Sequence, residues 1–212
     1  MPKVLFDADD LWQGKHPEIW NREVRDDLIL ELKRRLPKLK ITLFASPGLC
    51  TLSFLERWAS YDWVELGVHG WYHASLECQS WRTDQMEHCL DTTEKMGVFK
   101  KIFRPPQWAH NPRIFQPLKD RNWIYAGHYD QIETTDFHNK GDKVYFCGSK
   151  FIVPSVIDGN IREHGHITEG MPNSIDIMLD TWVENFKDKE FSFITEEVEK
   201  IYANKDFSGR PK

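Results

Sequence analysis

Short apolar runs rich in β-branched and aromatic residues alternate with helical patterns along the whole chain, and this alternation limits the fold more than any other feature. It is typical of βα units and argues against a β-sandwich or a helical bundle. The predicted strands lie at residues 4–6, 41–44, 64–68, 101–103, 123–125 and 144–146, with later candidates at 152–153, 160–163 and 191–194. The predicted helices lie at residues 21–36, 80–96, 112–120, 174–186 and 195–202. These strands are numerous enough to form a barrel.

Length, charge and hydropathy exclude several classes of protein. The 212 residues contain no repeat and no linker, so we predict a single domain over residues 1–212. The formal net charge of −5 argues against nucleic acid as a partner. No run approaches the roughly 18 apolar residues of a membrane span, and the first residues lack the apolar core of a signal peptide. We therefore predict a cytoplasmic protein whose four cysteines stay reduced.

Three acids, Asp7, Asp9 and Asp10, directly follow the first predicted strand. Side chains alternate along a strand, so Asp7 and Asp9 are expected on one face. Like charges on one face repel each other unless a cation or an arginine compensates them. The alternative interpretation is an acidic turn in which Asp10 caps the next segment.

Two histidines, His69 and His73, follow the third predicted strand at a spacing of four residues. If the chain turns helical after His69, both imidazoles can reach one metal ion. The zinc-protease motif HExxH is excluded because Gly70 stands where that motif needs glutamate. The alternative is a pair of histidines that pack beside aromatic residues.

Two later motifs also follow predicted strands. Arg104 precedes Pro105 and Pro106, where it can orient a carboxylate, and a backbone N–H just beyond the stiff turn can serve as an oxyanion hole. His164 and His166 end another short strand, and a histidine there can act as general acid. The alternative interpretations are an ordinary strand-ending turn and an exposed polar turn. The spacing alone does not decide which histidine points inward.

In their order along the chain, the four motifs resemble those of the polysaccharide deacetylases, the NodB-homology group of carbohydrate esterases. The resemblance extends from about Val4 to about Tyr202. It implies a distorted or incomplete (β/α)7 barrel that holds one divalent metal ion by an Asp-His-His triad. Zinc is the expected ion, with cobalt or another first-row ion as alternatives. The implied activity is hydrolysis of the N-acetyl amide of an amino sugar or glycan.

Carried over residue by residue, the resemblance assigns roles to the motifs. His69 and His73 match two metal ligands, Asp9 the third ligand and Asp7 the catalytic base. Family members have adjacent aspartates, whereas here Ala8 intervenes and Asp10 follows, so the roles of the three acids stay open; the strand period favours Asp7 and Asp9.

Other roles follow from the same resemblance. Arg104 would tether the base, and the backbone N–H of Gln107 or Trp108 would bind the oxyanion. His164 or His166 would be the general acid, and Asp130 is the best match for the acid that orients it.

Two other functions are compatible with the sequence. One is a related hydrolase of another C–N bond, such as a cyclic amide, which can act without metal. The other is a non-catalytic sugar-binding barrel, since Trp12, Trp71 and Trp108 lie in or beside the motifs and aromatic faces stack on sugar rings. We expect Trp71 and Trp108 to contact substrate. The sequence does not indicate the oligomeric state.

Overall fold

A computed structural model describes most of the chain, and the following elements are those of the described residues, 2–16, 22–128, 143–147, 150–152, 160–171 and 173–204. The strands are β1 (Lys3–Leu11), β2 (Ile41–Ala45), β3 (Val64–His69), β4 (Ile102–Arg104), β5 (Ile124–His128), β6 (Lys143–Cys147), β7 (Lys150–Ile152), β8 (Ile161–His166) and β9 (Glu190–Phe191). The helices are α1 (Asp26–Arg35), α2 (Leu52–Ala59), α3 (Glu77–Ser80), α4 (Thr83–Met96), α5 (Phe115–Asp120), α6 (Ile175–Phe186) and α7 (Ile194–Asn204).

The strands form one curled sheet in the order β7-β6-β5-β4-β3-β2-β1-β8, with β9 also paired to β1. Pairings from β8 through β1 to β5 are parallel, whereas β5–β6 and β6–β7 are antiparallel. Helices separate most of the parallel strands, as crossover connections require. The prediction of a distorted or incomplete (β/α) barrel is confirmed.

The two faces of β1 pack against different clusters, and the face on which Asp7 and Asp9 lie decides their surroundings. Val4, Phe6 and Ala8 pack in the large core cluster that also includes residues of α1 and α6. Leu5 faces the other way, into a smaller cluster with Phe44 of β2 and, from other elements, Ile102, Ile124, Ala126, Ile194 and Val198. By the alternation of strand side chains, Asp7 and Asp9 share the face of Leu5. They therefore lie above an apolar floor inside the curl of the sheet.

Several predicted boundaries differ from the structure. The strand predicted at 191–194 ends at Phe191, and α7 begins at Ile194, which is fully buried in the cluster beneath the acids. The helix predicted from residue 21 begins at Asp26. Helix α2 was not predicted, although its cap is recognisable, since the Thr51 side chain accepts a hydrogen bond from the Phe54 N–H.

The described residues bear on two predictions, the lack of a membrane span and the reduced state of the cysteines. Among them, no helix has the length and hydropathy needed to cross a bilayer. Cys50, Cys78 and Cys89 are free thiols, and burial raises the pKa of the Cys50 thiol to about 12.

Candidate functional site

Arg104 is fully buried at the end of β4 and joins two acids of β1. Its Nη1 lies 2.5 Å from Asp7 Oδ1 and 2.7 Å from Asp9 Oδ1, and its Nε donates to the Ala126 carbonyl at 3.1 Å. Burial opposes ionisation of Asp9, but Arg104 and neighbouring histidines outweigh it and lower the pKa of Asp9 to about 2. Arg104 therefore binds both acids rather than one, and its role as the tether of a catalytic base stays a prediction.

Asp10 departs from the alternation of β1 and joins the same side of the sheet. Its φ of +74° lies in the left-handed region, and the pairing of β1 with β2 shifts register between Ala8 and Leu11. The Thr168 hydroxyl donates to Asp10 Oδ2 at 3.0 Å. Burial disfavours the charged carboxylate, but hydrogen bonds from His69 and His73 hold the pKa of Asp10 well below its usual range.

The two histidines converge on Asp10. His73 Nε2 lies 3.0 Å and His69 Nε2 lies 3.6 Å from Asp10 Oδ1. The other ring nitrogen of His69, Nδ1, donates to the Arg104 carbonyl at 3.1 Å, which directs Nε2 toward the acids. Burial lowers the pKa of His73, but Asp10 and Asp9 outweigh burial and raise it.

A loop, rather than the expected helical turn, brings His73 to His69. Gly70 and His73 both have positive φ, +63° and +55°. The Glu77 carboxylate at the start of α3 accepts backbone N–H groups of Trp71, Tyr72 and His73 at 3.1, 3.0 and 3.0 Å. The hydrogen bonds to this buried carboxylate thus hold the backbone of residues 71–73 in the loop conformation. Glu77 was not predicted as a site residue, because the sequence contains no motif signal for it.

The donor atoms of Asp10, His69 and His73 lie within 4.8 Å of one another, and all three residues are buried. A four-coordinate zinc ion with bonds of about 2.1 Å places its ligand atoms about 3.4 Å apart. The separations of 3.0 and 3.6 Å at Asp10 Oδ1 lie on either side of that value. One carboxylate and two imidazoles therefore fit a divalent transition-metal ion.

The geometry differs from the prediction that Asp9 completes this triad. Asp9 Oδ2 is 3.8 Å from His69 Nε2, and Asp9 groups instead with His164 and His166. The left-handed turn puts Asp10 nearer the histidines. The adjacent acids Asp9 and Asp10, rather than Asp7 and Asp9, thus lie beside His69.

His164 lies beside Asp7 because β8 pairs with β1 in the register Asp7 to His164 and Asp9 to His166. The Nδ1–H of His164 donates to Asp7 Oδ1 at 2.6 Å, and the Trp108 ring meets the imidazole edge-on with centroids 5.4 Å apart. An acid and a tryptophan therefore orient this histidine. Asp130, the expected acid, lies outside the described residues.

The residues after Pro106 have more limited roles than expected. The Trp108 N–H donates to the Pro105 carbonyl at 3.1 Å, and the role of oxyanion donor stays a prediction for Gln107 and Trp108. The Gln107 side chain accepts from the Leu76 N–H at 3.2 Å and so joins two loops. The Trp108 ring covers the Arg104 guanidinium, 4.6 Å from its centroid.

Trp71 is half-buried beside Gly48, where a Cβ would lie 2.6 Å from the indole. Its backbone N–H is held by Glu77. Trp71 therefore lies in the loop that carries His73, and its contact with substrate stays a prediction.

No protein-family model and no curated protein matches this sequence. Solved structures do. The Xyl-CE4 domain of a multidomain xylanase from the hindgut metagenome of Trinervitermes trinervoides is 16% identical, with a TM-score of 0.59 over 95% of this chain and 92% of that one. A family 4 acetyl xylan esterase from Clostridium thermocellum, in complex with a cobalt ion, is 17% identical, with a TM-score of 0.55 over 93% and 90%. The chain has the NodB-like fold.

A third structure with the NodB-like fold is a CE4 family pseudoenzyme from Bacillus anthracis, 14% identical over 92% of this chain and 65% of that one, with a TM-score of 0.54. A NodB-like fold therefore does not by itself establish activity, and function has to be argued from the site.

Proposed function

We propose that this protein is a metal-dependent hydrolase that removes the acetyl group from an N-acetylated amino sugar or glycan. The convergence of the buried donor atoms of Asp10, His69 and His73 beside the Arg104-bound Asp9 carries the proposal. A non-catalytic barrel would have no need to bury these charged and polar groups together, because burial without compensation is costly.

Asp10, His69 and His73 are the proposed metal ligands, and zinc is the proposed ion because carboxylate and imidazole ligands suit it. A divalent ion there supplies Lewis-acid polarisation of an acyl carbonyl and lowers the pKa of water. Thr168 supports Asp10, and the Arg104 carbonyl orients His69, so both ligands have partners that fix their direction.

Asp9 is the proposed base. Its Oδ1 is held by Arg104 at 2.7 Å, while its Oδ2 lies 3.8 Å from His69 Nε2, at the edge of the donor set. With a pKa of about 2 it is ionised at neutral pH and can accept a proton from water. This assignment replaces Asp7, whose carboxylate is engaged by both Arg104 and His164.

His164 is the proposed general acid, and Asp7 is its positioning residue. The Asp7 contact at 2.6 Å directs the opposite nitrogen, Nε2, toward Asp9 Oδ2 at 3.7 Å. An imidazolium there can protonate the departing amine, while the Gln107 N–H is the proposed oxyanion donor.

Metal analysis combined with acetate release from N-acetylated sugars tests the proposal. We expect about one tightly bound divalent ion, and the His69→Ala/His73→Ala double variant should lose it. Asp10→Asn should also lose the ion. The matched variant Asp9→Asn should keep it while acetate release falls about 100-fold or more.

Three outcomes would contradict these assignments. If Asp10→Asn retained the metal and Asp9→Asn lost it, the two acids would have the opposite roles, with Asp9 as the metal ligand and Asp10 as the base. Full acetate release after exhaustive chelation would favour the metal-free C–N hydrolase. Saturable glycan binding without acetate release under any metal would favour the sugar-binding barrel.

A further inference from the structure

A second group of metal-ligand side chains adjoins the first. The donor atoms of Asp9, His164 and His166 lie within 4.8 Å of one another. The register of β1 and β8 produces this group, because Asp9 lies opposite His166 in the parallel pair. Asp9 is buried, whereas the two histidines are partly exposed, so solvent ions can reach them.

The contacts around this group direct the donor atoms of Asp9 and His164 toward each other. Asp7 engages His164 at Nδ1, and His164 Nε2 lies 3.7 Å from Asp9 Oδ2. A carboxylate on the far nitrogen of an imidazole is the usual support of a metal-binding histidine. Arg104 fixes the other Asp9 oxygen, Oδ1, at 2.7 Å. The separation of 3.7 Å is close to the roughly 3.4 Å between ligands of four-coordinate zinc.

We propose that Asp9, His164 and His166 form a second site for a divalent transition-metal ion such as zinc, and that its occupation inhibits the enzyme. The binding site stands on the geometry alone. Inhibition rests on the proposed function, because an ion at this site would engage the oxygen of the proposed base and the nitrogen of the proposed acid. Neither group could then transfer a proton.

The second site binds its ion more weakly than the site of Asp10, His69 and His73. Arg104 Nη1 lies 2.7 Å from Asp9 Oδ1 and 3.3 Å from His164 Nδ1, so a positive charge already adjoins the donors. An ion in the first site adds further repulsion across the short distance between Asp9 and His69. We therefore expect the two ions to bind at separable concentrations.

Equilibrium dialysis against buffered Zn²⁺ tests the site directly. Wild-type protein should bind two equivalents, the second at least about tenfold more weakly. His166→Asn should weaken the second equivalent about tenfold or more and leave the affinity for the first unchanged, since His166 is not among its ligands. The matched control His88→Asn, on an exposed position of α4, should bind both equivalents as wild type does.

Acetate release measured against free Zn²⁺ tests the inhibition. The wild-type rate should rise and then fall, and His166→Asn should move the falling limb about tenfold or more to higher free Zn²⁺, each variant being scaled to its own maximum. The proposed second site would be contradicted if the protein bound only one equivalent of Zn²⁺ up to millimolar concentrations. It would also be contradicted if His166→Asn left the affinity for the second equivalent unchanged. A second equivalent bound without a falling limb would overturn the inhibition. Failure of the proposed function would instead appear as no acetate release at any Zn²⁺ concentration, with the dialysis result unaffected.

Discussion

Replacing Glu77 with glutamine tests whether a buried carboxylate, rather than a helical turn, positions His73. Both carboxylate oxygens of Glu77 accept N–H groups: Oε2 those of Trp71 and His73, and Oε1 those of Tyr72 and Trp71. Glutamine has a single acceptor oxygen, because its other terminal atom is an NH₂ donor. Glu77→Gln should therefore leave at least one N–H of this loop, that of Tyr72 or His73, without its acceptor.

The expected magnitude follows from that loss. A buried donor without a partner costs about 1–3 kcal/mol, and a total of about 2 kcal/mol corresponds to roughly 30-fold in an equilibrium constant. Since the loop carries His73, the affinity for the first metal ion should fall by about this factor. This expected decrease in affinity agrees with the roughly 10- to 100-fold loss of metal affinity that is typical when a hydrogen-bond partner of a metal ligand is removed.

The assay is competition for Zn²⁺ between the protein and a chromophoric chelator of known affinity. Glu87→Gln, the same substitution at an exposed position of α4, is the matched control and should bind Zn²⁺ as wild type does. Glu77→Gln with an affinity within threefold of wild type, in a protein that remains folded by circular dichroism, would refute the idea that Glu77 positions His73.

Three further predictions concern charge, pH and packing. Arg104→Met should destabilise the protein by about 3–5 kcal/mol in denaturant unfolding, because it removes the buried cation that Asp7 and Asp9 share, whereas Arg113→Met at an exposed position should have no effect. Burial raises the pKa of Glu65, so the contribution of this group to stability should be complete below the usual glutamate pKa and be lost as pH rises through the raised value; Glu65→Gln should lack this component of the pH dependence in unfolding experiments across pH. Trp108→Ala removes the ring against His164 and should reduce acetate release about 10- to 100-fold while metal content is kept.

Each of these predictions has a contradicting result. Equal unfolding free energies for Arg104→Met and wild type would mean that the buried acids are compensated elsewhere. The same pH profile in Glu65→Gln and wild type would assign the decline to another group. Loss of metal in Trp108→Ala would show that the ring supports the metal ligands rather than the acid.

The sequence determined the order of the βα units and the strand ends that carry polar residues. Hydrophobic periodicity is a local property, and it predicted β2, β3 and β8 near their observed positions. The two-residue period of a strand also put Asp7 and Asp9 on one face, and Arg104 binds both. The spacing of His69 and His73 also predicted that their imidazoles could meet, although a loop rather than a helical turn brings them together.

Only the tertiary structure decided which partners each of the three acids contacts. The left-handed backbone conformation at Asp10 interrupts the two-residue period of the strand, and no local sequence pattern predicts this conformation at an aspartate. The pairing of Asp7 with His164 depends on the register between β1 and β8, which are 157 residues apart at that contact. Register is set by packing across the whole sheet. The local sequence therefore shows which functional group each side chain has, but it does not show which residue that group contacts.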